Sequence, residues 1–354
     1  MVKKKIFFIL SSLRAGGAER VYWLICQHFN PQKYEVCLVV LNTRDRFLSV
    51  DLKNVRIIDL NAVKASSSFF KLYRLFKKEK PYAVFTAGGQ IDIVISLLSN
   101  VVKVPFLIAR STSIPGERIK YANAKAKLIG NFSNRFSLYS RFNHIICQTE
   151  EMKTAWMANK KGLNGRLIVI PNPVSYSSVK STRLINKDEV KLIIVATLSL
   201  VKGISRLMEI VSLLPGNFSL TIAGSGSQAA DIRSNINRRG LQERVHMVGQ
   251  VKNVLELMAE HDIFVLTSFV EGFPNAALEA LSVGLPVVSF QVSGISDLII
   301  DDFNGYIISQ GDLIGFKKRL VEASSKNWDR ERIREDVERR YAIEPIVKMY
   351  ENLI

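Results

Sequence analysis

The chain has 354 residues, 49 Lys+Arg against 32 Asp+Glu for a formal net charge of +17, and a 47% hydrophobic content. That apolar share belongs to a globular protein and excludes a disordered, collagenous or coiled-coil chain; the length suits two or three domains at roughly 100–200 residues each. Three cysteines, Cys26, Cys37 and Cys147, are too few and too odd in number for a disulfide framework, and none stands in a C-x-x-C pair, so a reducing, cytosolic compartment is expected.

The first ten residues put three lysines before Ile6-Phe7-Phe8-Ile9-Leu10. This apolar run is shorter than the roughly 7–15 residues of a signal-peptide core and reads as a buried strand. Strand-like runs follow at 34–41, 55–60, 82–87, 106–110, 144–149 and 167–170, after a first at 5–10, with helical stretches between most of them. The longest charge-free apolar stretch, 93–102, is too short for the roughly 20 residues that span a bilayer. After the Pro/Ser-rich 171–178, which reads as a linker, the scheme repeats at 190–197, 219–224, 245–249, 263–268, 286–290 and 305–308, and ends in helical 330–340 and 343–353. Near-continuous Ile/Val/Leu/Phe strands suit parallel sheets covered on both faces. The expectation is α/β, two doubly wound parallel-sheet domains, with ligands outside the carboxyl ends of the strands and in the cleft between the domains.

The charge divides unevenly. Residues 1–180 hold 29 Lys+Arg and 10 Asp+Glu, a net of +19, whereas 181–354 hold 20 and 22, a net of −2. Either the surface of the first half is simply basic and solvated, or it faces something anionic, with nucleic acid and an anionic membrane both open on composition alone.

Three loops carry candidate chemistry. Gly16-Gly17 follows the first strand and opens a helix, where free N–H groups suit an anion; an ordinary tight strand–helix turn is the competing reading. Gly224-Ser225-Gly226-Ser227-Gln228-Ala229 matches G-x-G-x-x-A, but the acidic residue that a dinucleotide site needs about 20 positions on is missing, which favours a tight turn over nicotinamide binding. The third is Glu271-Gly272-Phe273-Pro274-Asn275-Ala276-Ala277-Leu278-Glu279. Pro274 and Asn275 suit a helix entry. Acceptor-only carboxylates at Glu271 and Glu279 suit vicinal hydroxyls, and the N–H groups of Gly272, Phe273 and 275–277 suit a polar or anionic ligand; for Glu279 the plain alternative is a solvated helix carboxylate.

This E-G-F-P-N-x-x-L-E arrangement resembles the retaining glycosyltransferases of family 4, which have the GT-B fold. The likeness extends over most of the chain: Gly16-Gly17-Ala18-Glu19-Arg20 resembles the family's N-terminal glycine turn, Ile170-Pro171-Asn172-Pro173-Val174 its hinge, the segment from Ala196 to Lys202-Gly203 its G-R-L-x-x-x-K-G stretch, Gly284-Leu285-Pro286-Val287-Val288 its G-x-P-V-V strand, and Gly294-Ile295-Ser296-Asp297 its G-G-x-x-E turn. The resemblance implies an acceptor-binding domain over 1–172, a nucleotide-sugar domain over 173–340, and a final helix, about 341–354, that returns to the first domain. It implies that Lys202 neutralises the donor diphosphate, that Glu271 with Gly272, Phe273, Pro274 and Asn275 holds the sugar, that Glu279 takes the ribose hydroxyls, and that Gly16 and Gly17 let the backbone close on the diphosphate, with Thr197 and Gly224 lining the donor site. It implies a UDP-linked donor, a lipid-linked or saccharide acceptor in cell-surface polysaccharide synthesis, and no cofactor or metal; the sequence has no Asp-x-Asp pair. Lys202 and Glu271 are the catalytic candidates.

Two departures stand out. Thr197 occupies the place of the family's arginine five residues before Lys202, with Arg206 or Arg14 as possible substitutes, and Arg110, Ser111 and Thr112 stand at a strand tip where many relatives carry histidine. The missing arginine leaves a non-catalytic nucleotide-sugar binder as a second reading, and a sugar-nucleotide epimerase as a third. Two basic–aromatic stretches, 69–78 and 119–142, offer a docking surface for anionic lipid; on a helix Phe69, Leu72, Tyr73 and Phe76 share one face, which otherwise packs on the sheet. Without a nucleic-acid-binding motif, the expected setting is peripheral, on the cytoplasmic face of the inner membrane.

Overall fold

The computed structural model describes residues 2–14, 16–44, 46–114, 138–159, 162–174 and 178–354. The chain divides into two compact units, Met1–Ser175 with Ile343–Ile354, and Tyr176–Ala342.

Among the described residues, the first unit holds a seven-stranded sheet: β1 Lys4–Leu10, β2 Tyr34–Val40, β3 Val55–Asp59, β4 Ala83–Thr86, β5 Phe106–Arg110, β6 His144–Cys147 and β7 Leu167–Val169, in the order β3-β2-β1-β4-β5-β6-β7. Every pairing is parallel. The apolar runs follow from this: Ile6 to Leu10 are all buried, because helices cover both faces. On one face Phe8 stacks on Phe85 at 4.8 Å and meets Tyr22 and Phe29 edge-on. Tyr350, from the helix Ile343–Glu351, lies 5.8 Å from Phe85, so the last helix helps to close this face. On the other face Phe7, Ile9, Cys37 and Val39 pack with Leu72 and Phe76 of the helix Phe69–Glu79.

That packing decides between the two readings of the helix. Leu72 and Phe76 are buried, and Phe69 and Tyr73 pack against the same cluster. The shared aromatic face is core and is not available to lipid; Phe70 alone of these rings stands out, 73% exposed. Of the second basic–aromatic stretch, residues 119–137, with Lys120, Lys125, Lys127 and Arg135, lie outside the described residues.

The second unit holds six parallel strands among its described residues: β8 Val190–Val195, β9 Phe218–Ala223, β10 Val245–Gly249, β11 Ile263–Leu266, β12 Val287–Phe290 and β13 Gly305–Ile308, in the order β10-β9-β8-β11-β12-β13. Fully buried Asp262, at the start of β11, accepts from Arg183 Nε at 2.9 Å and from the backbone N–H of Lys191 at 2.8 Å, which pins β11 beside β8. Several strands end earlier than the apolar runs suggest: 144–149 narrows to His144–Cys147, 190–197 to Val190–Val195 and 263–268 to Ile263–Leu266. The residues that leave the ladder build the loops over the carboxyl ends.

Candidate functional site

In the second sheet the strand order reverses between β8 and β11, whose following loops therefore diverge and leave room for a ligand. The loop after β8 carries Thr197 and Lys202, and the loop after β11 carries Ser268 and Glu271. The two loops are laced together. The Phe269 N–H donates to the Val201 carbonyl at 2.8 Å, and Thr267 Oγ1 donates to the Lys202 carbonyl at 3.1 Å. Lys202 Nζ then donates to Glu271 Oε1 at 2.6 Å, and Ser268 Oγ donates to the same oxygen at 2.6 Å. Both side chains are largely covered, 22% exposed for Lys202 and 10% for Glu271. In a partly desolvated place a charged pair is strong and its geometry is held.

Gly203 makes the lacing possible. It has φ +61, and a Cβ there would collide with the Thr267 carbonyl. Gly224 plays a similar part. The loop after β9 packs on the loop after β8: the Leu198 N–H donates to the Ser225 carbonyl and the Gln228 N–H to the Leu198 carbonyl. A Cβ on Gly224 would strike the Ala196 carbonyl, and one on Gly226 the Leu198 carbonyl. The G-x-G-x-x-A glycines thus admit a neighbouring loop, which accounts for them without a dinucleotide.

Glu271-Gly272-Phe273-Pro274 leads into the helix Asn275–Ser282, where Pro274 stands at the N-cap. Ala277, Leu278, Ala280 and Leu281 are buried, while Asn275, Ala276 and Glu279 form the less covered stripe, with Asn275 and Glu279 one turn apart. Gly272, Phe273 and Pro274 are themselves buried, and Phe273 packs 6.2 Å from Tyr341. One expectation changes here: the N–H groups of Asn275 and Ala277 donate to the carbonyls of Phe273 and Pro274 within the turn, so neither is free for a ligand.

Thr197 is exposed. Arg206 does not take over from the missing arginine. Its guanidinium donates to the Thr267 carbonyl (2.8 and 2.5 Å), to the Ser268 carbonyl at 2.7 Å and to Gln310 Oε1 at 2.8 Å. Arg14 lies in the first unit, exposed beside the glycine turn.

In the first sheet the order reverses between β1 and β4. Gly16 caps the helix Gly17–Cys26 after β1, and the carboxylate of Glu19 lies against it, reached by Ser11 Oγ at 3.4 Å. This helix start already carries an anion of its own. The loop after β4 holds a second pair, Gly88-Gly89, ahead of the helix Gln90–Leu98. It was open to the same sequence criterion as Gly16-Gly17, a glycine pair between a strand and a helix, and it packs against Thr112. Behind it Asp92 is buried, accepting from Thr86 Oγ1 at 2.5 Å and Tyr139 Oη at 2.9 Å. Burial pushes its carboxyl up to about 6, against these two bonds.

Arg110 is only 2% exposed, its guanidinium bonded to Asn172 and lying 5.8 Å over the Tyr22 ring. Ser111 is buried, accepting from Trp156 Nε1 at 3.0 Å and donating to the Ser113 carbonyl. Both side chains are buried and bonded within the first unit; Thr112 is half-buried. Buried His261 bonds the Leu257 carbonyl and Thr221 Oγ1, and burial lowers its pKa.

Residues 15–177 match the family described as Glycosyltransferase Family 4, and residues 178–340 match Glycosyl transferases group 1. The chain belongs to the family 4 glycosyltransferases. The transferase is 25% identical over 286 residues, 75% of its length and 72% of the other's, to an Escherichia coli protein named UDP-Gal:alpha-D-GlcNAc-diphosphoundecaprenol alpha-1,3-galactosyltransferase. It is 24% identical over 324 residues, 89% and 88% of the two chains, to a Campylobacter jejuni alpha-1,4-N-acetyl-D-galactosaminyltransferase whose named acceptor is an undecaprenol diphosphate-linked saccharide. Its fold is that of Anabaena HepE crystallised with UDP-glucose, at TM-score 0.81, 18% identity and 98% coverage of each chain. The two doubly wound parallel sheets are therefore those of the GT-B fold. Among the described residues no helix is long and apolar enough to cross a membrane.

Proposed function

We propose that the transferase moves a sugar, with retention of anomeric configuration, from a UDP-linked donor to a lipid-linked saccharide in cell-surface polysaccharide synthesis. The observation that carries this reading is the Lys202–Glu271 pair at the β8/β11 switch point of a family 4 chain. The names of the Escherichia coli and Campylobacter jejuni relatives support the donor and acceptor classes.

In this reading Lys202 exchanges Glu271 for the donor diphosphate, and Glu271, released, accepts from sugar hydroxyls. Glu279, on the open stripe of its helix, accepts from the ribose. The anomeric C–O bond to the diphosphate breaks while the acceptor hydroxyl oxygen bonds to the same face, and its proton passes to the departing phosphate oxygen. The charge that builds on UDP is met by the Lys202 ammonium, an electrostatic role in which a side chain does the work of a metal ion. The donor thus belongs to the second unit and the acceptor to the first, whose half of the chain carries the net charge of +19 over 1–180. Exposed Lys71, Arg74, Lys77 and Lys78 on the helix Phe69–Glu79 fit a peripheral, cytoplasmic association with anionic lipid.

The test is a screen of nucleotide sugars against undecaprenyl-diphosphate saccharides, with the product linkage read by NMR. Transfer with an α-linked product from an α-linked donor is expected. UDP binding with no turnover of any donor would favour the non-catalytic reading that Thr197 motivates, and an altered free sugar nucleotide without acceptor would favour an epimerase. Flotation with phosphatidylglycerol vesicles, released by high salt, checks the membrane part; no flotation at low salt removes it.

A further inference from the structure

Arg206 is absorbed by none of the roles above, yet it is the most heavily engaged cation near the site. It sits in the first turn of the helix Ile204–Leu213, directly after Lys202-Gly203. Its Nε and Nη2 donate to the Thr267 carbonyl, Nη2 also to the Ser268 carbonyl at 2.7 Å, and Nη1 to Gln310 Oε1. Its Cζ lies 3.9 Å from the Phe269 ring centroid and 4.0 Å from that of Phe290. Gln310 completes the clasp, its Nε2 donating to the Ser268 carbonyl at 3.1 Å and to the Gln291 carbonyl at 2.7 Å.

We infer that Arg206 is a positioning residue for the donor loop: by holding the Thr267 and Ser268 carbonyls it sets the Ser268 hydroxyl on Glu271 and so keeps Glu271 at the donor site, beside Lys202, when the donor takes the lysine. The inference rests on the donor-site reading of Lys202 and Glu271. The geometry is what a guanidinium alone supplies. A planar fork can serve two successive carbonyls and a side-chain amide while its charge lies close to two aromatic rings. Lysine offers a point charge without that planar fork. The loop after β11 carries no regular secondary structure over 267–274, so its backbone needs such a clasp to hold one conformation. The arginine that relatives place at 197 is absent, and Arg206 leaves Lys202 as the cation pointed at Glu271 while it serves the backbone behind.

The experiment is a double-mutant cycle on the full chain, titrated calorimetrically with UDP, GDP and ADP. The expected result is that R206M weakens UDP binding about tenfold in the native background, the scale of a lost charge-assisted bond. In the K202M background it should add less than about twofold, since Arg206 acts through the loop that sets Lys202. R206K should recover only part of the loss, and it replaces R206M in the cycle if the methionine variant does not fold. Equal weakening in both backgrounds would make Arg206 a general stabiliser and overturn the inference, as would native UDP affinity in R206M. If K202M itself binds UDP as the native chain does, or if the native chain binds none of the three nucleotides, the donor-site reading falls instead, and the inference with it.

Discussion

Lys202 Nζ and Glu271 Oε1 stand 2.6 Å apart although the two residues are 69 positions apart in the chain. The pair joins the two loops at the point where the second sheet reverses its strand order. Each charge is the other's partner, so a donor must compete with the pair for either side chain.

Replacing Lys202 with methionine is therefore expected to lower kcat/KM by about 10²–10³-fold, the scale of a lost preorganised charge at a departing anion. Stability should fall by roughly 1–3 kcal/mol, because the largely covered Glu271 loses its cationic partner and keeps only the Ser268 hydroxyl. Steady-state kinetics beside urea denaturation separates the two; native kcat/KM in K202M would remove the lysine from the mechanism.

Thr197 is exposed on the same loop as Lys202. Restoring the family's arginine with T197R should tighten UDP binding by about tenfold, one charge-assisted hydrogen bond. Calorimetry decides it. Unchanged affinity would mean that the position does not face the diphosphate in this protein.

Gly203 holds φ +61 with the Thr267 carbonyl against its Cα. G203A should cost about 1–3 kcal/mol in urea denaturation, the usual scale of a side chain forced into that region. Because relief requires the two loops to part, the donor KM should rise in the same variant. A stability loss at unchanged donor KM would detach the lacing from donor binding.

Asp92 gives the first unit a pH signature. Burial raises its carboxyl from 3.8 to about 6, so between those values the folded chain holds a proton that the unfolded chain has released. Its contribution to stability therefore falls as pH rises from about 4 to 6 and is flat above, by on the order of 2–3 kcal/mol in all. Asp59, lowered against its burial by hydrogen bonds from Thr43 and Asn61, and Glu79, lowered by Lys5 and Arg56, act in the opposite direction at lower pH. The measurement is thus the difference between native chain and D92N in urea denaturation at pH 4, 5, 6 and 7. Parallel profiles would assign the burial cost elsewhere.

The sequence by itself determined the family, the parallel α/β class and the approximate place of each strand among the described residues. The physical reason is local: a strand buried on both faces must be apolar nearly throughout, as in Ile6-Phe7-Phe8-Ile9-Leu10 and Leu192-Ile193-Ile194. It also singled out Glu271 and Glu279, since E-G-F-P-N-x-x-L-E is a contiguous signature, and Lys202 through the likeness of the segment from Ala196 to Gly203 to the family's K-G stretch. Pairing is another matter, because it depends on which strands lie side by side. Only the tertiary structure put Lys202 on Glu271, committed Arg206 to the Thr267 and Ser268 carbonyls, and turned the Gly224 loop toward Leu198 rather than a dinucleotide. It likewise buried Arg110 against Tyr22 and Asn172, and turned the Phe69–Phe76 face inward. The same residue types at the same spacings would serve a ligand or a core equally well; the strand order and the packing on each sheet face decide which.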